Sequence, residues 1–139
     1  MNILFVCTEG RCRSKTAAAI FNGLQGIRAR HAGIHPRAEV EISPYLIEWA
    51  DEIFCMERRH ETHIRGVFPG YSDIHLQTLE IPDDYAYMSP DLVVLLLNHP
   101  TMRLLLEDAQ ASMAKLEGHT DEPRVKRGWW PFRRSVTNG

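Results

Sequence analysis

Long apolar runs are missing from this chain. The longest, Leu92 to Leu97, falls far short of the roughly 20 residues that a membrane-spanning helix needs. A basic excess is missing too. Sixteen Lys and Arg stand against 18 Asp and Glu, a formal net charge of -2, which argues against a nucleic-acid partner. Cysteine is scarce: Cys7, Cys12 and Cys55 do not form the framework of a secreted disulfide protein. Cys7 and Cys12 have no Cys/His pair at finger-like spacing downstream, so no structural zinc is expected. The first residues, Met1-Asn2-Ile3-Leu4-Phe5-Val6, lack the basic flank and small-residue cleavage site of a signal peptide. A reducing, cytoplasmic setting is the natural expectation. No internal repeat is visible.

What remains is an ordinary composition, 44% hydrophobic and 24% charged, over 139 residues, enough for one domain. Short apolar runs alternate with helix-forming segments. Strands are expected at Ile3–Val6, Ile27–His31 (leaving through Ala32-Gly33), Ile53–Met56 and Ile74–Ile81. Helices are expected from Lys15, with Ser14 as its cap, to Gly23 or Gly26, from Ser43-Pro44 to Ala50, from Glu57 to Val67, and from Ser89-Pro90-Asp91 onward. Pro100 should kink or split the last of these, with Met102 to Leu116 continuing helical. Such alternation predicts an α/β fold, a parallel sheet covered by helices on both faces. Residues 1–117 read as the domain. Residues 118–139, with Trp129, Trp130 and Phe132 among Arg127, Arg133 and Arg134, read as a basic, aromatic and mobile tail. That tail invites a weak membrane or acidic-partner contact.

The informative segment is Cys7-Thr8-Glu9-Gly10-Arg11-Cys12-Arg13-Ser14, between a buried strand and a helix N-terminus. Backbone N–H groups there lack partners, and the helix dipole favours negative charge. A curled loop can aim successive amides at one oxyanion, and Gly10 supplies the positive φ that such a curl needs. A cysteine at the rim of that nest has its thiolate held by the same amides and by Arg13. Arg13 offers a planar fork for two phosphate oxygens, and the Ser14 hydroxyl a hydrogen bond to the sulfur. One loop thus supplies nucleophile, cradle and charge stabilisation.

These residues resemble the low-molecular-weight protein tyrosine phosphatase family, whose signature is Cys, five residues, Arg, then Ser or Thr. The resemblance runs over about residues 2 to 116. It takes in Ala32-Gly33, the stretch Trp49-Ala50-Asp51-Glu52-Ile53-Phe54-Cys55-Met56-Glu57, and Leu79-Glu80-Ile81-Pro82-Asp83-Asp84-Tyr85. It implies a four-stranded parallel sheet flanked by helices, a phosphocysteine intermediate, and no metal or other cofactor. It also implies a phosphotyrosine protein or small aryl phosphate as substrate. The general acid would be an aspartate after the fourth strand: Asp83 if Tyr85 keeps register, with Asp84 the alternative. Tyr85 and Tyr87 would wall the pocket. Cys12 stands where many members carry a second loop cysteine, able to trap an oxidised nucleophile as a disulfide or simply to fill space.

The chain departs from the family at several positions. Gly10 stands where Asn is typical and His31 where many members carry Ser, so side-chain support for the loop is altered. His31 could replace that support or be a surface residue at a strand end. Arg11 occupies the position that faces the pocket entrance in relatives. A cation there disfavours a phosphoarginine guanidinium and favours an acidic substrate, unless Arg11 bends into solvent or pairs with Glu9. Two other readings use the same residues: a catalytically weak phosphate-binding module, and an arsenate reductase. The latter needs relay cysteines on a mobile loop, and Cys55 within a strand is badly placed for that.

Overall fold

The computed structural model describes residues 1–71 and 73–118. The basic and aromatic segment from residue 119 onward, with its expected mobility and partner contacts, lies outside the described residues. The elements are β1 (Asn2–Cys7), α1 (Arg13–Phe21), β2 (Arg28–Gly33), α2 (Pro44–Trp49), β3 (Glu52–Cys55), α3 (Arg58–Val67), β4 (Leu76–Thr78), α4 (Pro90–Asn98) and α5 (Pro100–Gly118). All strand pairings are parallel, in the order β2-β1-β3-β4. The expected α/β architecture is therefore the observed one.

Each face of the sheet carries its own core, as period-two alternation in β1 requires. Ile3, Phe5 and Cys7 face α1, α4 and α5, where Ala17, Phe21, Leu92, Leu96, Met102 and Leu105 are buried. Leu4 and Val6 face α2 and α3, meeting Ile47 and Ile64. Phe5 stacks between Phe21 and Phe54, with ring centroids 5.9 and 5.8 Å away. Burying these large side chains on both faces supplies the main drive to fold, at about 1.5–3 kcal/mol per side chain.

Local chemistry sets the element ends. Ser43 and Ser89 accept from Leu46 N–H and Leu92 N–H, with Pro44 and Pro90 next in line. Pro100 splits the C-terminal helical segment after His99. Two expectations are corrected. Helix α1 starts at Arg13 with Cys12 at its N-cap and no side-chain cap; Ser14 is instead buried and turned toward Cys7. The fourth strand spans only Leu76–Thr78. Ile74 N–H closes a turn on Tyr71, and Glu80 takes a left-handed φ of 59°, which ends regular pairing before Ile81.

The chain moves from β1 outward to β2, then returns across β1 to β3. The carboxyl ends of β1 and β3 thus flank the point where connections run in opposite directions. Open α/β sheets present a crevice there.

Candidate active site

Cys7 ends β1 on the α1 side and is 3% exposed. Gly10 N–H points at its sulfur, 3.2 Å away, and Ser14 Oγ lies 3.0 Å from it. Ser14 Oγ also lies 3.4 Å from the Ala32 carbonyl. A serine hydroxyl has one proton, so it donates either to that carbonyl, while the thiol donates to it, or to a thiolate. The site can thus serve both states of the sulfur by rotation of one O–H.

The loop keeps its curl through main chain. Ile34, His35 and Glu39 donate their N–H groups to the carbonyls of Cys7, Thr8 and Glu9, at 3.1, 2.9 and 3.0 Å. Gly10 has the expected positive φ, 65°, and a Cβ there would stand 3.0 Å from the Ala32–Gly33 backbone. A Cβ on Gly33 would come within 2.6 Å of Thr8 O and Glu9 C. Main-chain atoms cannot step aside cheaply. Gly33→Ala is therefore expected to cost about 1–3 kcal/mol of stability and to open the loop, read by thermal melting alongside orthophosphate affinity. His31 sits in β2, half-buried, and its Nδ1 has no hydrogen-bond partner among the described residues, so that nitrogen does not brace the loop.

Arg13, in the first turn of α1, is 1% exposed. Its Nη1 donates to Glu57 Oε1 at 2.6 Å and to the Ile81 carbonyl at 2.8 Å. Nη2 reaches Thr8 Oγ1 at 3.5 Å. Buried Nε has no hydrogen-bond acceptor among the described residues; Asp83 Oδ1 stands 3.6 Å away, beyond hydrogen-bond reach. A buried donor without an acceptor is costly unless something comes to it. The Nε–Nη2 edge is the one a bidentate oxyanion uses.

Glu57, directly before α3, was not among the candidates that the sequence singled out. Its bond to Arg13 holds its carboxyl below the usual carboxylate range, against an opposing effect of burial; Arg59 adds a second hydrogen bond at 3.0 Å. His60 was missed as well, inside what reads as a polar surface helix. Its side chain is fully buried, Nδ1 accepts from Glu57 N–H at 2.9 Å, and Nε2 lies 3.0 Å from Thr8 Oγ1. Burial foremost, then the cations Arg13 and Arg59, push its pKa down to about 4, with Glu57 and Asp83 opposing. An unfolded histidine titrates near 6.5, so below that pH the unfolded chain binds a proton that the folded chain refuses. Stability should fall by about 2–3 kcal/mol between pH 6.5 and 4 from this residue, measured by urea denaturation. In His60→Asn that share of the pH dependence should vanish.

Asp83 alone of the acidic pair reaches Arg13; Asp84 is exposed and forms no ion pair with it. The loop carrying both is tied to α1 by Met88 N–H donating to buried Thr16 Oγ1 at 2.8 Å. Tyr85 is half-buried against the core, while Tyr87 is exposed with Lys15 Nζ 5.1 Å from its ring centroid. Arg11 is exposed, pairs with Glu9 at 3.7 Å and donates to the Arg37 carbonyl. Cys12, within the loop at the N-cap of α1, is half-buried and unbridged. Cys55 is sealed in β3, and burial pushes its thiol far up, so it is badly placed to relay disulfide exchange.

No family model and no curated protein matches the sequence. Solved structures do. A low-molecular-weight protein tyrosine phosphatase from Bacillus subtilis superposes with a TM-score of 0.52 and 22% identity, over 86% of this chain and 99% of that one. One from Vibrio cholerae reaches 0.55 with 17% identity, over 88% and 99%. The chain has the low-molecular-weight phosphatase fold. A third structure, the arginine phosphatase YwlE as a cysteine-to-serine mutant with a phosphorylated active site serine, gives 0.51 with 24% identity over 84% and 96%. Among the described residues of this phosphatase-like fold, no helix is long and apolar enough to cross a membrane.

Proposed function

We propose that this chain is a cysteine-dependent phosphomonoester phosphatase acting on phosphotyrosine in proteins. The observation that carries the reading is the buried Nε–Nη2 edge of Arg13, without an acceptor at Nε, in the same loop as a sulfur that meets Gly10 N–H and the Ser14 hydroxyl. The amides of Thr8 to Arg13 and the Arg13 fork hold the phosphoryl oxygens. Sγ of Cys7 attacks phosphorus, forming an S–P bond as the ester P–O bond breaks, and Asp83 gives its proton to the departing oxygen. Asp83, now a carboxylate, takes a proton from water. The water oxygen attacks phosphorus, the S–P bond breaks, and orthophosphate leaves while Ser14 donates to the freed sulfur.

Two features support the choice of substrate. The aromatic side chains of Tyr85 and Tyr87 follow the acid in sequence and suit an aryl leaving group. Arg11 is a further cation within the loop, which disfavours a guanidinium substrate such as that of an arginine phosphatase, though its pairing with Glu9 and its bond to the Arg37 carbonyl weaken the effect. The intermediate also has a counterpart in the phosphorylated serine of the YwlE mutant.

Turnover of para-nitrophenyl phosphate tests the reading, together with the choice of acid. Asp83→Asn is expected to lower kcat by about 10²–10⁴-fold, whereas Asp84→Asn stays within a few-fold of the parent. Equal losses in the two variants would remove Asp83 from its role. No turnover by the parent protein, with orthophosphate still bound, would leave only a binding module.

A further inference from the structure

His60 is a buried titratable group that the mechanism above does not use. Its hydrogen bonds fix its tautomer. Nδ1 accepts from Glu57 N–H, so the ring proton of the neutral imidazole sits on Nε2 and is donated to Thr8 Oγ1. Thr8 Oγ1 also takes the longer contact from Arg13 Nη2. Both oxygen lone pairs are then engaged, and the hydroxyl proton is the one bonding capacity that Thr8 has left.

The same turn of α3 meets Arg13 twice. Glu57 receives Nη1 directly, and His60 reaches Nη2 through Thr8. Glu57 and His60 are tied to each other at the start of α3: Glu57 N–H donates to His60 Nδ1 at 2.9 Å, and His60 N–H to the Glu57 main-chain carbonyl at 3.0 Å. One rigid helix start therefore grips both terminal nitrogens of the guanidinium.

We propose that His60 is a positioning residue of the phosphate site, acting through Thr8. It holds the Thr8 hydroxyl as an acceptor for Arg13 and as a donor toward the bound oxyanion, so that the guanidinium plane stays aligned with the loop amides. This rests on the phosphate-site reading above and adds an α3 residue to it. Neither Thr8 nor His60 exchanges atoms with substrate. Their effect should appear first in affinity for the dianion.

Thr8→Val keeps the shape of Thr8 and removes its hydroxyl. His60→Asn keeps an acceptor for Glu57 N–H but falls short of Thr8, and His60→Gln can place an N–H donor near the original Nε2. Orthophosphate titrated into each protein, followed by ³¹P NMR, gives a dissociation constant that needs no turnover. Thr8→Val and His60→Asn should each weaken binding about tenfold, and the double variant should be no weaker than either alone. Thr8→Ser and His60→Gln should recover most of the loss. A double variant about a hundredfold weaker than the parent, or unchanged binding in Thr8→Val, would overturn the proposal. Should His60→Asn fail to fold, Thr8→Val against Thr8→Ser decides alone. Loss of orthophosphate binding from the parent itself would instead fail the underlying reading.

Discussion

Cys7→Ser should reduce para-nitrophenyl phosphate hydrolysis by about 10⁴-fold or more, leaving the fold intact. The substitution is nearly isosteric, at a side chain with 3% exposure, and the hydroxyl can keep the contacts of Sγ with Gly10 N–H and Ser14. What changes is nucleophilicity: an unactivated hydroxyl attacks phosphorus poorly, and among the described residues no histidine or carboxylate hydrogen-bonds to Cys7 Sγ to activate one. Orthophosphate affinity should survive, because the amides and Arg13 remain. Mass spectrometry of the parent, quenched in acid during turnover, should show one added phosphoryl group on the peptide bearing Cys7. A serine variant with undiminished turnover would eliminate covalent catalysis by this residue.

Arg13→Lys should lower kcat by about 10²–10³-fold although the charge is kept. The lysine ammonium can still satisfy Glu57, which lies 2.6 Å from Nη1 in the parent, but it cannot also present a flat pair of donors to two oxygens. Since the phosphoryl oxygens carry the charge redistributed at the transition state, the loss should fall on kcat more than on KM. Arg13→Ala should be worse, because Glu57 is then left without its principal partner. Its carboxyl should return toward the ordinary range, visible as an upward shift in its NMR titration. A lysine variant within threefold of the parent would mean that the fork plays no part in the chemistry.

The sequence shows those parts of the site that one loop contains. Cys7, Gly10, Arg13 and Ser14 are neighbours in sequence, and a strand ending just before a helix leaves few ways to arrange them. Ser14 shows where this local logic gives out. It has the side chain of an N-cap, but a sulfur seven residues earlier recruits its hydroxyl, and the helix starts one residue ahead of it. Glu57 and His60 are hidden for another reason. They reach the loop only because β3 runs parallel beside β1, which brings residues 44 to 52 positions away to its rim. A sharper hint was present in Met56-Glu57-Arg58-Arg59-His60: an acidic N-cap with a polar side chain three residues on is a capping pattern, and His60 shares the buried face with Ile64. Asp83 and Asp84 are adjacent acids that no side-chain pattern separates; only the folded loop sets Asp83 Oδ1 3.6 Å from Arg13 Nε.

The loop is cast against segment 33–39 by peptide-to-peptide bonds, which are blind to the identity of the side chains above them. Two glycines, Gly10 and Gly33, are what that seam demands of the side chains. Glu9 and Arg11 can therefore drift without deforming the mould. Selectivity at the mouth and chemistry at the floor are free to evolve on separate clocks.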